Sequence, residues 1–270
     1  FTPPTDRVDV QRVRRGRQIP PKEAKHGGRH ALTQPFVCPA TGAIVSVTGA
    51  SRGIGFAAAR AVIELGGCVV AVARSADDAL LDKLAGSSQE AAKSRVAVVR
   101  GDITDPSVCD SVVDASLKRF GKVDASNVLV RRSGHLSRWT EFNPLTTGNG
   151  KGRQRAQNAF GQSPAVFSVE SNHILVVRIC RLFDVNLFAV FLLTQKALPH
   201  LRKQRGRVVM VSSGAANKAY VGWSAYCCSK AALNMLTENL AAEEPEIASV
   251  AVRPGVVETE MQKIIRDSGA

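Results

Sequence analysis

A four-residue apolar run, Ile44 to Val47, passes directly into Thr48-Gly49-Ala50-Ser51-Arg52-Gly53-Ile54-Gly55 and then into a helical pattern from Phe56 to Leu65. This passage limits the possible folds more than any other. A strand that enters a glycine-rich turn and leaves as a helix gathers unpaired backbone N–H groups and the positive end of a helix dipole at one point, where a pyrophosphate is stabilised. Gly49, Gly53 and Gly55, spaced G-x-x-x-G-x-G, let the backbone approach such an anion; a glycine-rich turn with no ligand is the alternative. The unit then repeats. Cys68 to Ala73 reads as a second strand and Arg95 to Arg100 as a third, followed by Gly101-Asp102-Ile103-Thr104 and a helix from Pro106 to Phe120. Strands and helices joined in this alternation by short connections predict an α/β chain with a doubly wound, mostly parallel sheet that binds ligands at the carboxyl ends of its strands.

The second strand ends in Arg74-Ser75. A carboxylate there would hydrogen-bond the ribose 2′-hydroxyl of NAD(H), whereas an arginine pairs with a 2′-phosphate, so NADP(H) is the expected cofactor. Arg52 adds a second cation in the glycine loop, while Asp77 and Asp78 keep NAD(H) open.

A second constellation lies in Arg207 to Lys230, RVVMVSSGAANKAYVGWSAYCCSK. Val208 to Val211 reads as a buried strand, Ser212 and Ser213 end it, and a helix is expected to begin near Trp223. Tyr226 and Lys230 fall four apart on that helix and share a face, so the ammonium is placed to favour phenolate over phenol. An ordinary tyrosine, with a pKa of about 10, is a poor proton donor or acceptor near neutrality. Ser213 could reach the same point from the strand end. The alternative is a helix that merely exposes three common polar residues.

The formal charge of +13 raises the question of nucleic acid. Most of the excess is confined to residues 1–40, with eight Lys/Arg against three Asp/Glu, and residues 126–180, with seven against two. No aromatic platform or reading helix accompanies it, so no nucleic-acid partner is expected. Six cysteines form no CxxC pair and suit a reduced, cytoplasmic protein; five dispersed histidines offer no metal-ligand spacing, so no metal is expected. No apolar run has the length of a membrane span. Residues 1–40, with Arg12, Arg14, Arg15, Arg17 and prolines at 3, 4, 20 and 21, lack any strand or helix period. They are expected to be a disordered basic tail ahead of a single domain, 41–270; Asp6, Asp9 and Glu23 argue against a transit peptide.

Beyond Gly121-Lys122-Val123-Asp124 the pattern fails. Val128 to Val130 are all that resembles a fourth strand, and Arg131 to Val169 carries no sustained period, which is too long for a structureless loop in a compact domain. Order returns at Leu182, in an apolar helix expected to end around Pro199. A helix from Ala231 to Glu244, a strand from Ile247 to Val252 and the turn Pro254-Gly255-Val256-Val257-Glu258-Thr259 follow.

The glycine loop, Asp102, Asp184-Val185-Asn186, Ser213, Tyr226-Cys227-Cys228-Ser229-Lys230 and Pro254-Gly255 with Thr259 together resemble, in order and spacing, the short-chain dehydrogenase/reductase family, over about Ile44 to Ala125 and Leu182 to Asp267. The Gly-Trp-Ser-Ala-Tyr run and Arg74 look most like the sepiapterin-reductase-like carbonyl reductases, including fungal diketone reductases. The resemblance implies a Rossmann fold and an NADPH-dependent reduction of a small ketone or aldehyde to an alcohol. Tyr226 would then be the general acid, Lys230 would lower its pKa and hold the nicotinamide ribose, Ser213 would hydrogen-bond the substrate oxygen, and Asn186 would fix a water relaying protons to Lys230. Cofactor contacts would come from Gly49, Ser51, Arg52, Gly53, Ile54, Gly55, Arg74, Asp102 at the adenine, Pro254, Gly255, Val257, and Thr259 at the carboxamide. Ser212 reads as a packing hydroxyl. Pairing of the helices around Asn186 and Tyr226 into a homodimer is implied too.

Two departures stand against this pattern. The family's Asn-Asn-Ala-Gly after the fourth strand is replaced by Arg131-Arg132-Ser133-Gly134, and the chain stops shortly after Thr259, where the family continues to a substrate lid and a seventh strand. The fourth-strand region is therefore expected to be disrupted by sequence foreign to the fold, such as translated intron, over about 126–180, with a strand missing at the C-terminal side. An intact Ser126–Cys180 in the mature transcript would sink that idea. A cofactor-binding regulatory protein without turnover is the alternative function.

Overall fold

The computed structural model describes residues 9–12, 42–86, 92–128, 172–220, 223–260 and 262–263. Seven strands form one sheet: β1 (Asp9–Arg12), β2 (Ile44–Thr48), β3 (Cys68–Ala73), β4 (Val96–Arg100), β5 (Ala125–Val128), β6 (Arg207–Val211) and β7 (Ala248–Arg253). Their spatial order is β1-β7-β6-β5-β2-β3-β4, and every pair from β7 to β4 is parallel. The chain runs outward from β2 to β4, then returns to place β5 on the other side of β2. Ligand crevices in such sheets lie at this reversal, outside the carboxyl ends of the strands.

Helices cover both faces: α1 (Gly53–Glu64) and α2 (Asp78–Ala85) on one, α3 (Pro106–Phe120), α5 (Ala189–Gln204) and α6 (Ser224–Glu243) on the other. Alternation along β3 divides its side chains between the two cores, with Val70 and Val72 facing α3 and α5, and Val69, Ala71 and Ala73 facing α1 and α2. Pro106 occupies the first turn of α3 and Asp105 caps it, its Oδ1 accepting from Ser107 N at 2.9 Å.

The fourth parallel strand is β5, which begins three residues earlier than Val128–Val130 and carries Ser126 and Asn127 at its centre. Its register is set by the residue just before it. Asp124 Oδ2 accepts from Ile44 N at 2.9 Å, its N–H donates to Ile44 O at 3.2 Å, and its carbonyl accepts from Arg207 N at 2.9 Å, so one residue fastens β5 to both neighbours. The expected insertion narrows at its other end too. Helix α4 (Asn172–Phe183) begins ten residues before Leu182 and continues through a π-helical turn (Asp184–Phe188) into α5. Residues 129–171, with the Arg131-Arg132-Ser133-Gly134 string, lie outside the described residues.

Helix α5 also runs past Pro199 to Gln204. Ala197 and Leu201 on either side of the proline are buried in the core and Arg202 pairs with Glu244, so tertiary packing outweighs the lost backbone hydrogen bond. In the basic stretch read as tail, Asp9–Arg12 pairs antiparallel with β7, Asp9 opposite Arg253 and Arg12 opposite Val250. A parallel strand at a sheet edge presents unpaired N–H and C=O groups, and these attract a neighbour whatever its side chains are. No strand follows β7 among the described residues.

Candidate active site

The carboxyl end of β6 delivers Ser212 and Ser213. Ser213 is extended, its Oγ accepts from Ala215 N at 3.2 Å to start a short 3-10 turn (Gly214–Ala216), and its side chain acts on the Tyr226 phenol. Ser212 is buried and turns the other way, donating to Asn234 Oδ1 at 2.6 Å; Asn234 Nδ2 in turn donates to Asn217 Oδ1 at 3.4 Å. This chain of amides ties the strand end, the loop and α6 together, as the packing role read for Ser212 requires.

Tyr226 lies in the first turns of α6, a single helix that merges the Tyr226–Lys230 helix with the one expected from Ala231. Burial pushes its phenol above the ordinary tyrosine value; Ser213 opposes that shift, and Cys227 adds to it. Lys230 is buried, with Nζ 5.9 Å from the Tyr226 ring centroid, and donates to Val211 O at 2.9 Å. Burial pushes the Lys230 ammonium down to about 8. The expectation that Lys230 depresses the Tyr226 phenol is thus not met in this arrangement. The ammonium is turned to a strand carbonyl, and desolvation governs both groups.

Asn186 sits in the π-helical turn, where the extra residue of a wide turn re-aims side chains, a geometry frequent at functional sites. Its Nδ2 donates to Ser229 Oγ at 3.0 Å, and Ser229 Oγ donates to Tyr226 O at 2.8 Å. Asn186 therefore reaches the Tyr226–Lys230 turn through Ser229. Ahead of Tyr226 the rings of Tyr220 and Trp223 stand 5.7 Å apart, Trp223 meets Tyr226 edge-on at 5.8 Å, and Lys218 Nζ lies 5.7 Å from the Tyr220 centroid. An aromatic wall thus leads to the phenol.

On the other side of the crevice, Gly49 has a φ of 67°, and a Cβ on Gly55 would collide with the Gly49 carbonyl. The loop is folded so tightly that only glycine fits at Gly55. Arg52 is the N-cap of α1 yet makes no side-chain cap bond, and no acidic residue occupies the first turn, so the helix start is left for another anion. Thr48 Oγ1, buried at the base of the loop, has no hydrogen-bond partner among the described residues. These features fit a dinucleotide's pyrophosphate. Ser51 and Ile54 belong to the same loop. Arg74 follows β3 and is exposed, whereas Asp77 is committed to capping α2, its Oδ1 accepting from Leu80 N at 2.9 Å. Asp102 Oδ1 accepts from Thr104 N at 3.1 Å and Thr104 Oγ1 at 2.9 Å, and Arg181 of α4 approaches Oδ2 at 3.8 Å.

Pro254, Gly255, Val257 and Thr259 leave the carboxyl end of β7, beside β6; Gly255 has a φ of 74°, and Thr259 Oγ1 accepts from Gln262 N at 3.5 Å. No hydrogen bond joins them to the Tyr226 group among the described residues. Asn234 and Arg181 carried no signal in the sequence, whereas Trp223 lay inside the Gly-Trp-Ser-Ala-Tyr run and Ser229 inside the Tyr226–Lys230 run, neither with a role of its own. All five described cysteines are free thiols, no cluster of metal-binding side chains occurs among the described residues, and no described helix is long and apolar enough to cross a membrane.

The family model described as short chain dehydrogenase matches residues 43–148 and 165–269. An uncharacterised oxidoreductase of Schizosaccharomyces pombe is 37% identical over 224 residues, 83% of this chain and 74% of that protein. Benzil reductase ((S)-benzoin forming) of Saccharomyces cerevisiae is 36% identical over 233 residues, covering 84% and 76%. Among solved structures, a short-chain dehydrogenase/reductase of Saccharomyces cerevisiae superposes with a TM-score of 0.63 at 32% identity, over 85% of this chain and 76% of that one.

Proposed function

The chain belongs to the short-chain dehydrogenase/reductase family and is an oxidoreductase, and from that premise we propose that it reduces ketones or aldehydes, diketones among them, to alcohols with NADPH. The observation that carries the reading is the half-buried Tyr226 phenol, which Lys230 and the Trp223 ring approach at the end of an aromatic wall and whose ionisation Ser213 favours. Tyr226 donates its proton to the carbonyl oxygen, and Ser213 hydrogen-bonds the same oxygen as negative charge develops on it. Lys230 holds positive charge beneath the ring below a pH of about 8. Asn186 and Ser229 hold the turn of α6 that carries both groups.

The glycine loop from Gly49 to Gly55, Arg74, Asp102 and the Pro254–Thr259 turn would hold the dinucleotide, with Lys230 at its ribose. A nicotinamide bound there supplies the hydride. Arg74, exposed at the end of β3, favours the 2′-phosphate form, and the commitment of Asp77 to its helix cap removes one of the carboxylates that kept NAD(H) open. Tyr220 and Trp223 suit aryl-substituted carbonyls, and the yeast relative is named for reducing the aryl diketone benzil. Free thiols at every described cysteine accord with a cytoplasmic setting. A second copy of the chain is the proposed partner, docked on the exposed Phe188 and Phe191 of the π turn and α5 and Met235 of α6.

Oxidation of NADPH followed at 340 nm with benzil, simple aldehydes and quinones tests the reading, with binding measured in parallel. Turnover of a carbonyl supports it. Tight NADPH binding with no turnover of any carbonyl overturns it in favour of a binding protein.

A further inference from the structure

We infer that Arg181 is a specificity residue that selects a cofactor carrying a 2′-phosphate, acting from α4 across the crevice opposite Arg74. This rests on the proposed use of NADPH. Three elements bring charges to one place: Arg74 follows β3, Asp102 follows the neighbouring β4, and Arg181 reaches over from the last turn of α4. Asp102 lies between the two arginines in this charge group. Both Thr104 bonds fall on Oδ1, so Oδ2 is the oxygen that faces Arg181, and it does so at 3.8 Å, beyond ordinary hydrogen-bond reach. Burial pushes the Asp102 carboxyl up, but the Thr104 bonds and then the charges of Arg74 and Arg181 outweigh it and hold the group below the usual carboxylate range.

A lone carboxylate beside Arg74 would spoil that arginine as a phosphate site, because the two charges cancel. Arg181 offsets the Asp102 carboxylate, leaving Arg74 to attract a phosphate monoester, which carries about −1.5 to −2 charges at neutral pH. A cofactor that ends in a 2′-hydroxyl gains nothing from it. Arg181 is about half exposed and loosely held, so its guanidinium turns from Oδ2 to a ligand at little cost.

The test uses the full chain and its Arg181→Gln, Arg181→Lys and Arg74→Gln variants, with binding of NADPH and NADH read from quenching of protein fluorescence and kcat and KM measured separately. Arg181→Gln is expected to weaken NADPH binding about tenfold, as for a partly exposed charge-assisted contact, to leave NADH binding within about twofold and to leave kcat at saturating NADPH unchanged. The dependence of NADPH affinity on salt should flatten, and Arg181→Lys should keep most of the affinity. Equal losses for both cofactors, or no loss for NADPH while Arg74→Gln shows one, overturn the role of Arg181 and leave the NADPH reading standing. A wild-type chain that binds NADH more tightly than NADPH overturns that reading and this inference with it.

Discussion

Tyr226 and Lys230 are both governed by burial, and their shifts run in opposite directions. Tyr226→Phe removes the proton donor and leaves the ring, so turnover should fall by about 10²-fold or more while NADPH binding holds; steady-state assays beside binding titrations check this. Lys230 makes the opposite kind of prediction. Its folded pKa, about 8, lies below the unfolded value, so between those two pH values the unfolded chain binds more protons and the folded form gains stability as pH rises. Below about pH 8 the cost of burying the ammonium is fully present, on the order of 3 kcal/mol, and the hydrogen bond to Val211 O offsets about 1 kcal/mol of it. Lys230→Met should therefore raise the urea midpoint at pH 7 while turnover is lost, and the gain should shrink by pH 10. Unfolding curves at the two pH values decide it. The juxtaposition of Ser213, Tyr226 and Lys230 was legible in sequence because strand end and helix spacing place them by geometry alone. The direction in which Lys230 points was not, since its acceptor, a carbonyl of β6, carries no side-chain signature.

The β2–α1 loop and the π-helical turn contrast at the level of elements. The first was legible as strand, turn and helix, and its packing explains the composition: a Cβ on Gly55 meets the Gly49 carbonyl. Gly55→Ala should displace the loop, costing about 1–3 kcal/mol of stability and weakening NADPH binding at least tenfold, as calorimetry and fluorescence titration would report. The second was not legible, because 3.6-residue periodicity assumes an uninterrupted helix, and one wide turn at Asp184–Phe188 resets the phase. Strand β5 was legible only at its end, Val128, for a related reason: Ser126 and Asn127 interrupt the apolar run of a central strand, and Asp124 supplies the register that hydrophobicity usually does. Pro199 shows the converse, a breaker overruled by the buried residues around it.

At the scale of the whole molecule, Phe188, Phe191 and Met235 are each more than half exposed, and the π turn that carries Phe188 packs against both α5 and α6. A double substitution Phe188→Glu and Phe191→Glu should shift the proposed homodimer to half its mass in light scattering, with secondary structure unchanged; retention of the larger mass would move the interface elsewhere. The sheet as a whole was foreseen from its alternating units, but its outer edge was not, since pairing of Asp9–Arg12 with β7 is made by backbone groups that no composition reveals. That edge has a kinetic meaning. Val10 meets Val252, about 240 residues away, and drawing together the ends of so long a loop costs about 5 kcal/mol in chain entropy. Four residues of pairing repay such a cost only after the parallel core between them has condensed. Residues 9–12 must therefore wait until residue 253 has been made and β7 has docked, and in the native state they are the first strand to open. Their amides should exchange with solvent well ahead of those in β2 and β3, so the clasp that finishes the sheet is also where its unravelling starts.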